Sequence, residues 1–121
     1  MPKDRVRLIQ PEQNTVPCKH RGAHGEMIAA CWLMEHGWDV FRNLSPHGPV
    51  DLVAIKGDQV RLFDVKLCNF RPRETGGWQV AGPVLKSSQA ALGVEPIFVT
   101  PDGLCAFDRR AFEALCEGLL D

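Results

Sequence analysis

Three acids and one lysine carry the chemistry this sequence is equipped for: Glu26, Asp51, Asp64 and Lys66. Asp51 opens one apolar stretch, Asp51 to Ile55, and Asp64 and Lys66 close a second, Val60 to Lys66, with a tight Lys56-Gly57-Asp58 turn between them. Side chains on a strand alternate faces, so Asp64 and Lys66 project to one side and Phe63, Val65 and Leu67 to the other. An acid and an amine at the end of an otherwise hydrophobic strand are costly to bury without a task. Two carboxylates offer hard oxygen ligands, and a lysine beside them suits a divalent cation and an activated water. Asp51 and Asp64 are expected to hold Mg²⁺, which Mn²⁺ could replace, with the Val65 carbonyl as a backbone ligand and Glu26 binding a second metal or holding a metal-bound water. Lys66 would position or deprotonate the attacking water, or neutralise charge building up on a phosphate. Hydrolysis of a phosphodiester asks for this combination, because the attacking and leaving oxygens both carry developing charge. The plainer alternative makes Asp64–Lys66 a strand-end salt bridge and Asp51 a turn cap, and it explains Glu26 poorly.

These side chains can converge only if a helix and two strands bring them together. The pattern from Gly22 to His36 is helical, with Met27, Ala30, Cys31 and Met34 spaced as a buried stripe. Glu26 shares a face with Ala29, Ala30 and Leu33, near the helix start, where the helix dipole tolerates negative charge. Gly37 stops the helix. A short strand, Trp38 to Arg42, and the loop Asn43 to Pro49 lead into the two apolar strands. Residues 68–83, with Pro72, Gly76, Gly77, Gly82 and Pro83, read as a loop or irregular excursion. A helix from about Val84 to Leu92 ends at Gly93. A strand over Glu95–Thr100, a turn at Pro101–Gly103, a strand over Leu104–Phe107 and a helix from Arg109 to about Leu120, capped by Asp108, complete the chain. Residues 1–20 read as an extended basic arm and 21–121 as one domain. The order α-β-β-β-α-β-β-α predicts an α/β fold, a mixed sheet of about five strands with helices packed on it.

Gly25-Glu26, Gly37-Trp38, Asn43, the run Gly48 to Ala54 around Asp51, and Asp64-Val65-Lys66 together resemble the PD-(D/E)XK nuclease superfamily. Its small members include archaeal Holliday-junction resolvases, VRR-NUC proteins and bacterial YraN-type proteins. The resemblance covers roughly residues 21 to 100 and is strongest from 22 to 67. It implies a restriction-endonuclease-like three-layer α/β/α core and a metal-dependent DNA endonuclease, acting on branched or otherwise structured DNA as a homodimer. It maps the family's acidic residues onto Glu26, Asp51 and Asp64, its lysine onto Lys66, and a glutamine found in several members onto Gln89. Pro49 stands one residue earlier than the motif's proline, and Asp64 replaces the commoner glutamate, one methylene shorter. The stretch between Lys66 and Gln89 is long and rich in Gly and Pro. A second reading keeps the nuclease-like fold but makes the protein a catalytically inactive nucleic-acid-binding or assembly protein.

Nucleic-acid contacts are expected from Arg21, from Arg71, Arg73 and Trp78 in the loop after Lys66, and from Lys86; arginines would hold phosphates and Trp78 would stack on an unpaired base. The net charge of −1 over 121 residues argues against a charge-driven coat on nucleic acid and favours recognition of a structure or an end. No apolar run approaches the roughly 20 residues of a membrane span, and the start lacks a secretory signal, so no membrane is expected; nor is a small-molecule cofactor expected as a partner. Five cysteines without a CxxC pair point to reduced thiols in the cytoplasm, with Cys31 and Cys116 buried in helices. Cys18, His20 and His24 offer zinc-type ligands but match no common module. Trp32 lies off the apolar stripe, as a half-buried core residue or a dimer contact, and His36 and His47 read as surface residues.

Overall fold

Apolar residues on the strands, a line of small and aliphatic residues on the first helix and the amphipathic face of the last helix meet around one mixed sheet. The computed structural model describes residues 17–45, 47–72, 74–75, 78–82 and 84–117. Helix α1 (Cys18–Glu35) is followed by strands β1 (Asp39–Arg42), β2 (Leu52–Lys56) and β3 (Gln59–Leu67), then by β4 (Asn69–Pro72) and β5 (Trp78–Ala81). Helix α2 (Ser87–Ala91), strands β6 (Val94–Val99) and β7 (Cys105–Ala106), and helix α3 (Arg109–Glu117) complete the order. The main sheet runs β1-β2-β3-β6-β7, with β3 and β6 parallel and the other neighbours antiparallel. This is the expected α/β architecture, with helices on both sides of a five-stranded sheet.

Two apolar clusters lie on opposite faces of that sheet. Ala29 and Leu33 of α1 pack on Leu52, Ala54, Phe63, Ile97 and Val99. Phe98, between Ile97 and Val99 on β6, turns the other way and joins Cys68, Leu104, and Phe112 and Cys116 of α3. The buried residues of α1 are Gly25, Ala29 and Leu33. That corrects the expected stripe: Met27 and Met34 are mostly exposed, and Cys31 is an exposed thiol, not a buried one. A helix lying on a sheet buries the residues that let it approach closely, and a Cβ at Gly25 would already stand 3.4 Å from the Leu67 side chain. Trp32 is half-buried, 4.8 Å from Phe107 between ring centroids. Cys116 is buried, and His36 and His47 are exposed, as expected.

Element ends follow local chemistry. Gly37, at φ 87°, turns the chain out of α1, and Gly57, at φ 62°, makes the β2–β3 turn. Asp108 caps α3 by accepting the Arg110 and Ala111 N–H groups at 2.7 and 3.2 Å. Helix α1 begins at Cys18, inside the stretch expected as an arm; residues 1–16 lie outside the described ones. The expected excursion over residues 68–83 is instead a two-stranded hairpin, with Phe70 opposite Val80. Its base closes where Gly82 meets Cys68 so tightly that a Cβ would fall 2.9 Å from the sulfur. All five cysteines are free, and among the described residues no helix is long and apolar enough to cross a membrane.

Candidate active site

The end of the β2–β3 pair is where the sheet opens. The two strands pair as far as Leu52 and Phe63, and Asp51 stands one residue beyond. The Asp51 N–H donates to the Phe63 carbonyl at 2.8 Å, and its carboxylate accepts the Val65 N–H at 2.8 Å. A side-chain oxygen thus takes the N–H that a strand carbonyl would otherwise satisfy. In a strand the N–H and C=O of one residue point to the same edge, so the Val65 carbonyl faces the Asp51 side as well.

Three bonds fix the segment that carries Asp51. The Asn43 N–H donates to the Asp51 carbonyl at 3.0 Å, and Asn43 Nδ2 donates to the Val50 carbonyl at 2.9 Å. Gln89 Nε2 donates to the Pro49 carbonyl at 3.0 Å. Gln89 is buried, and its Oε1 accepts the Lys86 N–H at 3.1 Å, so both ends of the amide are committed to backbone. Gln89 therefore locks α2 to the loop that places Asp51.

Asp64 and Lys66 project away from α1, opposite to Phe63, Val65 and Leu67. Lys66 Nζ lies 2.6 Å from Asp64 Oδ2, and both side chains are largely buried. That oxygen is closed to solvent and has no hydrogen-bond partner among the described residues: the ammonium is near enough for an ion pair but not aligned for a hydrogen bond. The Asp51 carboxyl is pushed up to about 6 from 3.8. Burial is the largest cause, opposed by the Val65 N–H; hydrogen bonding to Asp64, the Asp64 charge and the Glu26 charge add to it. A carboxyl raised mainly by burial, a second carboxyl near enough to add to that shift, and a buried oxygen left unbonded make a donor set of hard oxygens that fits a divalent cation.

Glu26 approaches from the other face of the sheet and reaches this pair only around the strand ends. Its charge is felt at Asp51, but its Oε1 is engaged by Arg42 Nε at 3.0 Å. Among the described residues, no three His, Cys, Asp or Glu side chains converge tightly enough to hold an ion between them. The structure brings together Asp51, Asp64, Lys66 and the Val65 backbone, and leaves Glu26 across a cleft from them. That cleft is a cavity of about 430 Å³ whose walls include Lys19, Glu26, Arg42, Asn43, Ser45 and Asp51.

The residues expected to contact nucleic acid are spread. Arg21 is half-buried on α1, and Lys86 is exposed at the start of α2. Arg71 pairs with Gln79 and Trp78 with Pro72 across the β4–β5 hairpin; their side chains, and Arg73 altogether, lie outside the described residues. Sequence reasoning passed over Arg42 and Lys19 as cleft residues. The signal for Arg42 was its place at the end of β1, directly before Asn43.

A solved structure of a bacterial homing endonuclease, I-Ssp6803I, is similar to this chain with a TM-score of 0.58 and 15% identity, over 82% of this chain and 74% of that one. At that identity the likeness is one of fold, and the chain has a nuclease-like α/β fold. Neither a protein-family profile nor a curated protein sequence matches it.

Proposed function

We propose that this protein is a metal-dependent DNA endonuclease of the PD-(D/E)XK type, hydrolysing phosphodiester bonds in branched or otherwise structured DNA. The observation that carries the proposal is the geometry at the open strand ends, where the Asp51 carboxylate accepts the Val65 N–H at 2.8 Å, between Asp64 and Lys66, and Lys66 lies 2.6 Å from Asp64, on a fold similar to that of an endonuclease. Asp51 and Asp64, with the Val65 carbonyl, would hold Mg²⁺ or Mn²⁺. When bound, such a cation neutralises charge on the phosphate and makes a nucleophile available near neutral pH. Lys66, anchored by Asp64, orients the attacking water and offsets charge on the phosphate oxygens as the bond to the leaving oxygen breaks. Gln89 serves as a positioning residue for Asp51. A homodimer of this chain would place two such sites on one DNA.

The test is cleavage of a panel of branched, flapped, single-stranded and duplex DNAs with Mg²⁺, Mn²⁺ or EDTA. Products are expected with metal only, and Asp64→Ala and Lys66→Ala should each lose about a hundredfold or more of the rate. Binding to DNA without cutting on any substrate would instead establish a nuclease-like protein that binds or assembles on nucleic acid.

A further inference from the structure

Arg42 is in direct contact with a carboxylate of the cleft on the α1 side. Its Nε bonds Glu26 Oε1 at 3.0 Å, while the rest of the guanidinium is free to turn, since the side chain is 56% exposed and that of Glu26 only 20%. The pair stands at the wall of the 430 Å³ cavity that ends on Asp51, with Lys19 on the facing turn of α1. Arg42 is held in place from below by the β1–β2 ladder, where it pairs with Leu52, next to Asp51. Its backbone is therefore rigid, and only the side chain has to move to change partners.

We infer that Arg42 is a phosphate-binding residue whose guanidinium is parked on Glu26 in the free protein and transfers to a backbone phosphate of DNA when the strand enters the cleft. Guanidinium binds phosphate through a planar fork of donors, and a run of singly charged phosphodiesters offers more acceptor oxygens, with counterions to release, than one half-buried carboxylate. The exchange has a second effect. Glu26 loses its counter-ion as Arg42 leaves, so its charge becomes available to a cation at Asp51 and Asp64. DNA and metal then assist each other through Arg42, and in the empty site the Glu26–Arg42 pair keeps the acidic cluster from accumulating cations without substrate. Lys19 adds charge on the same wall without taking part in the exchange. This inference rests on the endonuclease reading of the same cleft.

The experiment measures two equilibria on the full-length protein, neither of which requires cutting. DNA affinity is followed by fluorescence anisotropy with a labelled four-way junction in EDTA, across a salt series, and Mn²⁺ affinity by titration calorimetry without DNA. Arg42→Ala should weaken DNA binding about tenfold and lower the slope of log affinity against log salt by about 0.9, the loss of one phosphate contact. The same variant should bind Mn²⁺ more tightly, because Glu26 is released. Glu26→Gln should do the reverse, with tighter DNA in EDTA and weaker Mn²⁺. These opposite signs cannot come from a fold defect, which would weaken both. Arg42→Ala with unchanged DNA affinity and salt slope, or with both affinities reduced, overturns the inference while leaving the endonuclease proposal standing. A wild-type protein that binds neither the junction nor the flapped, single-stranded and duplex DNAs at any salt concentration overturns both.

Discussion

Asp51 is where folding and the proposed chemistry pull in opposite directions. Its carboxyl titrates near 6 in the folded protein and near 3.8 otherwise, so the folded state binds a proton more tightly than the unfolded one. The stabilisation that follows is fully present below pH 3.8 and is lost as pH rises through about 6. The shift sets an upper bound of about 3 kcal/mol, and because the group is only half-buried, solvent screening leaves about 1 kcal/mol. In EDTA, Asp51→Asn should therefore be more stable than wild type by about 1 kcal/mol at pH 7.5, and the two should converge below pH 4 in urea titrations. The asparagine oxygen can still accept the Val65 N–H, so the gain is electrostatic. Equal stability at pH 7.5 would show that Asp51 carries no such strain. Residue identities at this scale were legible in the sequence: Asp51, Asp64 and Lys66 stand where strand alternation and the turn at Gly57 put them. The role of Gln89 was not, because one of its two backbone bonds reaches Pro49, 40 residues away.

At the scale of elements, the seating of α1 on the sheet decides where Glu26 lies. Gly25 faces Val65, Leu67 and Val99 across the closest part of that contact, at 3.4 to 3.6 Å from a Cβ. Gly25→Ala should be close to neutral, since a gain of about 1 kcal/mol in helix propensity offsets a tight contact. Gly25→Leu should cost about 1 to 3 kcal/mol by overpacking and should lift Glu26 from the cleft. Thermal denaturation of the two variants checks this, and a Leu variant as stable as wild type would mean that α1 is free to shift. Gln89→Ala breaks the tie between α2 and the Asp51 loop and should cost about 1 to 3 kcal/mol, since it leaves the Pro49 carbonyl and Lys86 N–H without their partner. Hydrophobicity alone misled the reading of α1, because a helix against a sheet selects small residues at its contact line and leaves bulky Met27 and Met34 outside. The hairpin of β4 and β5 was likewise hidden, since its prolines and glycines carry no strand periodicity and its closure depends on the Cys68–Gly82 approach.

The whole molecule is a sheet with a packed cluster on each face, and the two clusters share no residue. Ile97→Val on the α1 face and Phe112→Leu on the α3 face should each cost about 1 kcal/mol. Because the sites have no common partner, the double variant should show the sum within about 0.5 kcal/mol by urea denaturation. A large coupling would mean that the sheet transmits strain from one face to the other.

The sequence by itself determined the α/β class, the order of the helices and of the five strands of the main sheet, and the chemical types gathered near the open end of β2 and β3. Those follow from local rules, namely side-chain alternation, turn glycines and caps, which act over a few residues. Tertiary structure alone decided that Asp64 and Lys66 lie on the face away from α1, that Glu26 is paired with Arg42 across the cleft from them, and that Gln89 braces the Asp51 loop. These are contacts between segments 14 to 40 residues apart, and no local pattern specifies which of several charged neighbours a side chain will meet once the helix and sheet are packed.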